Sequence, residues 1–359
     1  MSKGKVVVGM SGGVDSSVAA YLLKEQGYEV HGVTMLTLPE QIVSEGCGSA
    51  SIVHDAREVA RKLEISHDTI DFTEEFRCHV MDYFVDEYLQ GRTPNPCNQC
   101  NRHIKWQSLL KKAEEIGADF IATGHYARID CLENGRFAVR NSVTALKDQT
   151  YALYNLTQEQ LSRTLMPVGE YSKDVIREMA EKIGLQVASK PDSQDICFIP
   201  DHDYGNFIRQ QGKKLPADGE FIDSTGKILG KNRGYYQYTI GQRKGLGIAM
   251  GHPVFVTEIC PEKNQVRIGE SEELFHREVF VEDVNFMAMP KLAVGEEAEV
   301  IAKIRYSHKG AKARLKMLED GQLLCSFEEP QRAMTPGQAL VCYQGEYVVC
   351  GGTMTKVGK

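Results

Sequence analysis

Residues Lys5–Ser17 read KVVVGMSGGVDSS, and this run restricts the fold more than any other stretch of the chain. An apolar strand, Val6–Gly9, enters a short loop of Ser, Gly and Asp. A helix from about Asp15 to Gln26 opens directly behind it, with Gly27 as its stop. Gly12 and Gly13 lack a Cβ, so the backbone can turn sharply and bring N–H groups against a phosphate, while Ser11, Ser16 and Ser17 add hydroxyl donors. The helix N-terminus contributes its unpaired N–H groups and partial positive charge. A strand, loop and helix in this order make an anion cradle.

Two better-known phosphate loops do not describe it, because the segment lacks the Lys of G-x-x-x-x-G-K-[ST] and the glycine spacing of G-x-G-x-x-G. The run S-G-G-V-D-S resembles instead the PP-loop of the ATP pyrophosphatase superfamily. That resemblance implies a nucleotide site in which ATP adenylates a carbonyl or carboxyl oxygen and pyrophosphate leaves. Asp15 then either holds Mg2+ on the phosphates or caps the helix.

At 359 residues the chain exceeds one ordinary core, so two or three domains are expected. Hydrophobic content of 42% and charged content of 25% are those of a soluble globular protein. No run of eighteen apolar residues occurs, and Met1–Lys5 leads straight into a strand without an apolar signal region. The expectation is a cytoplasmic protein with no membrane partner, in which most of the ten Cys are free thiols.

The net charge of −7 argues mildly against a bulk nucleic-acid binder, yet two local runs are basic. One holds Lys303, Arg305, Lys309, Lys312, Arg314 and Lys316 without an acidic residue; the other holds Lys227, Lys231, Arg233, Arg243 and Lys244 among Tyr235, Tyr236 and Tyr238. Cations that neutralise phosphate beside aromatics that stack on bases suit RNA, and a solvated strand face is the other reading.

Helix and strand signals alternate in the first half. Strands fall at Val30–Met35, Thr69–Phe72 and Asp119–Thr123; helices carry Val53, Ala56, Val59 and Leu63, then Leu109, Leu110 and Ala113. This predicts an α/β fold with a doubly wound parallel sheet, and Gly124-His125-Tyr126 then lies at a strand's carboxyl end, as a ligand corner or an ordinary turn. Beyond Pro200 the texture becomes short strands and Gly turns, which predicts small β-barrels. The boundaries expected are 1–200, 201–275 and 276–359.

Three cysteines stand apart: Cys97 and Cys100 in TPNPCNQCN, and Cys197 in DSQDICF. Pro94 and Pro96 stiffen the first segment, and a helix beginning after Cys100 is expected to lower that thiol's pKa. A lone C-x-x-C also fits half a zinc site or a redox pair, but no second C-x-x-C exists and the thioredoxin context is missing. Cys260, Cys325, Cys342 and Cys350 lie in apolar β-texture and are expected to be inert; Cys47, Cys78 and Cys131 lack a motif.

Taken together, SGGVDS, GRTPNPCNQCN (91–101), TGHYA (123–127), KDQTYAL (147–153), SQDICF (193–198), TIGQRKGL (239–246) and Arg305-Tyr306 closely resemble the bacterial tRNA-specific 2-thiouridylase family. The resemblance implies thiolation at C2 of the wobble uridine in a tRNA anticodon arm. It places ATP on Gly9, Met10, Ser11, Gly12, Gly13, Val14, Asp15 and Ser16, with Met35 and Gly124 completing the pocket. The target base falls to Asn95, Pro96 and Cys97, and other tRNA contacts to Lys147, Asp148, Gln149, Arg305 and Tyr306. Cys197 would carry a persulfide and Cys100 would be the second thiol.

The domains then read as a PP-loop catalytic domain of the adenine nucleotide alpha hydrolase type, a central tRNA-contacting β-rich domain and a C-terminal β-barrel. ATP with Mg2+ is the implied cofactor, and a cysteine desulfurase or sulfur-relay protein the implied donor. Many family members place Asp where this chain has Cys97, so Cys97, Cys100 and Cys197 also offer three thiolates to a four-iron, four-sulfur cluster. Another PP-loop synthetase or amidotransferase is the enzymatic alternative, and a non-catalytic RNA-binding iron–sulfur module the alternative of another class.

Overall fold

The computed structural model describes residues 2–38, 49–190 and 196–358, with backbone alone at 49 and 50. Its N-terminal sheet holds β1 (Lys5–Gly9), β2 (Glu29–Leu36), β3 (Ser66–Asp71), β4 (Phe120–Ala122) and, after a hairpin of β5 (Ala127–Cys131) and β6 (Phe137–Asn141), the short β7 (Thr164–Leu165). All its pairings are parallel, in the order β3-β2-β1-β4-β7. The expected doubly wound architecture is therefore present.

Val6, Val7 and Val8 are wholly buried, as a central parallel strand covered on both faces requires. Alternation sends Val6 and Val8 toward α1 (Val14–Glu25) and α2 (Ser49–Lys62), and Val7 toward Trp106, Leu109 and Ala113. β3 starts three residues before the expected Thr69, because its sequence SHDTID pairs through the backbone while its side chains bond one another across strands. His31 reaches both Ser66 and Asp68 in this way.

Strand order reverses between β1 and β4, and the ligand crevice of an open α/β sheet lies at the carboxyl ends beside such a reversal. The Ser-Gly loop after β1 thus faces the Gly124–Tyr126 corner after β4.

The β-rich part begins with β8 (Gly219–Ile222), β9 (Ile228–Asn232), β10 (Phe255–Cys260) and β11 (Gln265–Gly269), paired as β10-β11-β8-β9. Among the described residues this sheet is open, where a small barrel was expected. Tyr235, Tyr236 and Tyr238 belong to the core that covers it, at 8%, 3% and 2% exposure, so these rings are not available to stack on bases.

The last six strands are β12 (Phe275–Phe286), β13 (Glu297–Lys303), β14 (Ala311–Met317), β15 (Leu323–Arg332), β16 (Ala339–Gln344) and β17 (Tyr347–Val357). They close into a barrel because β12 pairs with both β15 and β17. The β5–β6 hairpin extends this sheet, through Tyr347 opposite Arg140. Arg136 anchors it by donating to the Met287 carbonyl (2.7 Å) and Tyr347 by donating to Asp130 (2.9 Å). One apolar core accordingly runs from Val7 and Trp106 through Tyr151 and Tyr154 to Val279 and Leu340. Sequence reasoning missed the hairpin because Arg128, Asp130 and Arg140 make it read as polar loop.

Candidate active site

The phosphate cradle is built from backbone. Gly12 adopts φ +65°, and a Cβ there would lie 2.8 Å from the Ile52 carbonyl oxygen. Gly124 has no Cβ for a different reason: one would sit 2.5 Å from the Ser16 nitrogen, so β4's corner presses on the first turn of α1. The Ser11 N–H donates to Ser16 Oγ (3.1 Å), the two hydroxyls are 3.2 Å apart, and Ser17 Oγ donates to the Gly13 carbonyl (2.8 Å). Gly13 is the N-cap and brings no side chain to the first-turn N–H groups of α1, which leaves them for an anion. Thr34 Oγ1 donates to the Met10 carbonyl (2.9 Å), and the Met35 side chain lies alongside Gly9.

Asp15 is not the helix cap. Its carboxylate accepts two hydrogen bonds from Lys173 Nζ, both 2.8 Å, and one from the Tyr126 hydroxyl (2.7 Å). Lys173 also lies over the Tyr126 ring at 5.9 Å. With Asp15 committed to an ammonium, this arrangement does not fit it as a metal ligand; it fits a neutralised carboxylate beside a phosphate site. Lys173 follows the N-cap Ser172 of the helix Lys173–Lys182, and no sequence signal tied it to Asp15, 158 residues away.

The segment carrying Cys97 and Cys100 is wedged between parts of the chain remote in sequence. Thr93 N–H donates to the Pro336 carbonyl (2.8 Å), and Gln338 Nε2 donates to the carbonyls of Thr93 (2.9 Å) and Pro94 (3.0 Å). On the other side Gly91 abuts Pro261 and Ile259, too closely for a Cβ. Asn155 donates to the Asn98 carbonyl (3.0 Å) and Asn101 to that of Ala152 (2.8 Å).

The helix opens at Pro96, after Asn95 as an extended N-cap, and passes through a widened π-type stretch, Cys100–Trp106, into Gln107–Glu115. The expected lowering of the Cys100 pKa is therefore corrected. Cys97 occupies the first turn, Cys100 lies beyond it, and burial pushes the Cys100 thiol up, with Cys97 adding to that and Lys105 opposing it.

Cys197 is itself exposed, while its neighbour Phe198 is clamped by Phe76, Phe84 and Phe207 at centroid distances of 5.8, 5.4 and 5.1 Å. Cys197 keeps solvent access as a residue, yet the atoms packed round its thiol, then Cys100, then Cys97, push its pKa up against the pull of Lys105. The three motif cysteines thus share one neighbourhood, with Lys105 as its cation. Ser193, Gln194 and Asp195 of that motif, and Cys47, lie outside the described residues. All nine described cysteines are free thiols; Cys325, Cys342 and Cys350 are buried in the barrel.

Among the described residues no group of three or more His, Cys, Asp or Glu side chains is placed to hold a metal ion. Cys97, Cys100 and Cys197 are therefore not gathered as three ligands of one cluster in this arrangement.

His125 was not singled out as a site residue, although its corner was. It links the two halves of the site: Trp106 of the cysteine-bearing helix lies 5.4 Å from its ring, and Thr123 Oγ1 is 2.8 Å from Nδ1. Burial, with Lys105 second, holds its pKa well below the usual histidine range, so the ring is neutral at pH 7.

Of the residues expected to contact tRNA, Tyr306 and Asp148 meet across the barrel junction. Tyr306, 53% exposed, donates to the Asp148 carbonyl (3.0 Å) and sits edge-on to Tyr151. The Asp148 carboxylate folds its own loop, accepting from the N–H groups of Ser142 (2.9 Å) and Thr150 (3.1 Å). Gln149 Oε1 accepts from the Tyr126 N–H (2.8 Å), and Arg305 donates to the Arg332 carbonyl (3.2 Å). Two of the six cations of the basic run nearby face glutamates: Arg314 lies 3.7 and 3.6 Å from Glu297 and Glu299 on β13, and Lys316 lies 3.5 Å from Glu297.

Family models match the chain in succession: a tRNA methyl transferase HUP domain over 4–201, a tRNA methyl transferase PRC-barrel domain over 205–270 and an aminomethyltransferase beta-barrel domain over 276–354. The tRNA-specific 2-thiouridylase MnmA of Lachnoclostridium phytofermentans is 58% identical over 357 residues, covering 98% of this chain and 99% of that one. The chain belongs to the tRNA-specific 2-thiouridylase family. MnmA of Clostridium acetobutylicum is 55% identical, covering 97% of this chain and 98% of its own, and MnmA of Clostridium perfringens is 54% identical with 98% of each covered. Among solved structures, a 4-thiouridine synthetase–RNA complex with bound ATP overlaps 58% of this chain and 50% of its own at 22% identity and TM-score 0.39. Among the described residues no helix is long and apolar enough to cross a membrane.

Proposed function

We propose that this protein is an ATP-dependent tRNA 2-thiouridylase, acting in the cytoplasm on the anticodon arm, with the roles assigned by residue below. The observation that carries it is the shared wall of the two half-sites. Gly124 abuts Ser16 of the phosphate cradle, and the next residue, His125, packs on Trp106 of the helix that begins with Cys97 and Cys100.

A uracil C2 carbonyl is a poor electrophile, and its oxygen a poor leaving group. Attack of that oxygen on the α-phosphorus of ATP releases pyrophosphate and turns the oxygen into the leaving group AMP. The loop Gly9–Ser16 and the α1 N-terminus hold the phosphates, and Lys173 keeps Asp15 from repelling them. Mg2+ bound with the nucleotide would neutralise charge on its phosphates.

The terminal sulfur of a Cys197 persulfide attacks C2 and AMP leaves. Cys100 then attacks the Cys197 sulfur, the S–S bond breaks toward the base, and 2-thiouridine departs from a Cys100–Cys197 disulfide. A dithiol reductant restores the two thiols, and a cysteine desulfurase or relay protein reloads Cys197. No step passes through an iron–sulfur cluster. The wobble uridine must leave its stack to reach these sulfurs.

The test is incubation with ATP, an anticodon stem-loop and a persulfide donor, followed by mass analysis of the nucleosides. ATP-dependent 2-thiouridine that vanishes in Cys197→Ser and Cys100→Ser is expected. Pyrophosphate release without thiolated product would favour the synthetase alternative.

A further inference from the structure

We propose that Tyr126 is a positioning residue that couples RNA docking on the Lys147–Gln149 loop to the shape of the phosphate cradle. The inference rests on the functional reading above, which supplies the two ligands. Gln149 grips Tyr126 at both backbone groups, its Oε1 accepting from the Tyr126 N–H (2.8 Å) and its own N–H donating to the Tyr126 carbonyl (3.0 Å). The far end of the same residue, its hydroxyl, donates to Asp15 in the first turn of α1 (2.7 Å).

Tyr126 is 2% exposed, so neither end has solvent to take over a lost bond. Two residues earlier Gly124 touches Ser16, which makes the corner a second rigid contact on the same helix turn. The loop is held from the barrel as well, by Tyr306 at the Asp148 carbonyl (3.0 Å) and by Tyr343 at Thr150 (3.2 Å). RNA settling on Tyr306 and this loop therefore acts on a strut that ends at Asp15. Such coupling is reciprocal: bound RNA tightens ATP, and bound ATP tightens RNA by the same factor.

The test measures affinity for α,β-methylene ATP, which resists adenylation, with and without a saturating anticodon stem-loop. In the wild type RNA should tighten the analogue by about fivefold or more. In Tyr126→Phe, which keeps the buried ring, the ratio should fall to about one, while Tyr151→Phe, another buried tyrosine that donates to a backbone carbonyl, should keep it. A merely structural role would lower thermal stability without changing the ratio. Hydrogen exchange on the wild type gives a second measure that needs no variant: the stem-loop alone should slow exchange in residues 9–17.

An unchanged ratio in Tyr126→Phe overturns the proposal, as does protection confined to residues 147–149. A wild type that binds both ligands without coupling overturns it too and leaves the thiouridylase reading intact. A wild type that does not bind the stem-loop removes that reading, and this inference with it.

Discussion

Gly124→Ala tests how the two loops are fitted together. A Cβ at this position would stand 2.5 Å from the Ser16 nitrogen, 2.7 Å from the Asp15 carbonyl carbon and 2.9 Å from the Ser16 Cα, all backbone atoms of the first turn of α1. No side chain can swing away, so corner and helix must part by about 0.9 Å to reach ordinary contact. Overpacking of this kind costs about 1–3 kcal/mol. In a domain of this size each kcal/mol lowers the melting temperature by about 2–4 °C. The same displacement moves the cradle relative to the base, where a misplacement near 1 Å costs about 100-fold in rate. Gly13→Ala is the internal control for the ligand-free melting alone, because Gly13 is itself part of the phosphate loop: φ is −100°, and its Cβ would meet only Ser11 Oγ at 3.4 Å. Thermal melting of both variants without ligand, followed by ATP-dependent thiolation with Gly124→Ala, is the assay. A Gly124→Ala protein as stable as the wild type, or less destabilised than Gly13→Ala, would refute the fit described here.

Lys173→Met strips Asp15 of its ammonium and leaves a carboxylate facing the phosphates; a rise of about tenfold in KM for ATP is expected, and Asp15→Asn in the same chain should restore part of the lost stability, as a double-mutant cycle will read. Alkylation of Cys197 in the resting protein should quicken steadily from pH 7 to beyond 10, since its thiol is held up to about 12; a plateau near pH 8 would contradict this. The sign for folding follows: the folded state favours the neutral thiol, so this contribution is full below the unfolded pKa of about 8.5 and is lost as pH rises through that value toward 12. Arg314→Gln should change stem-loop affinity by less than about twofold, because Glu297 and Glu299 already flank that guanidinium, whereas Tyr306→Ala should weaken it by about fivefold or more, as loss of one stacking ring does.

Much of the catalytic half was legible because local rules govern it. An apolar run that is buried on both faces, a glycine at positive φ and a helix start leave little choice between Lys5 and Ser17. The closed barrel followed from alternating strands, and its buried Cys325, Cys342 and Cys350 from apolar texture. The thiol helix was read five residues late, since Pro94 and Pro96 suggested a stiff loop where Pro96 in fact starts the helix. The basic run was read as a possible phosphate face; its opposing glutamates lie on another strand, and only the β13–β14 register reveals the pairing.

What the sequence determined by itself is the set of short-range chemistries: a loop that can hold phosphate, thiols on a stiffened segment, and the alternation of strands and helices up to β4. Tertiary structure alone decided which of them act together. It brought Tyr126 and Lys173 to Asp15 from 111 and 158 residues away, laid Trp106 on His125, and set the β5–β6 hairpin on the barrel. The reason is physical: periodicity and propensity act over a turn or a strand, whereas desolvated hydrogen bonds and ion pairs depend on which surfaces the shared core forces into contact.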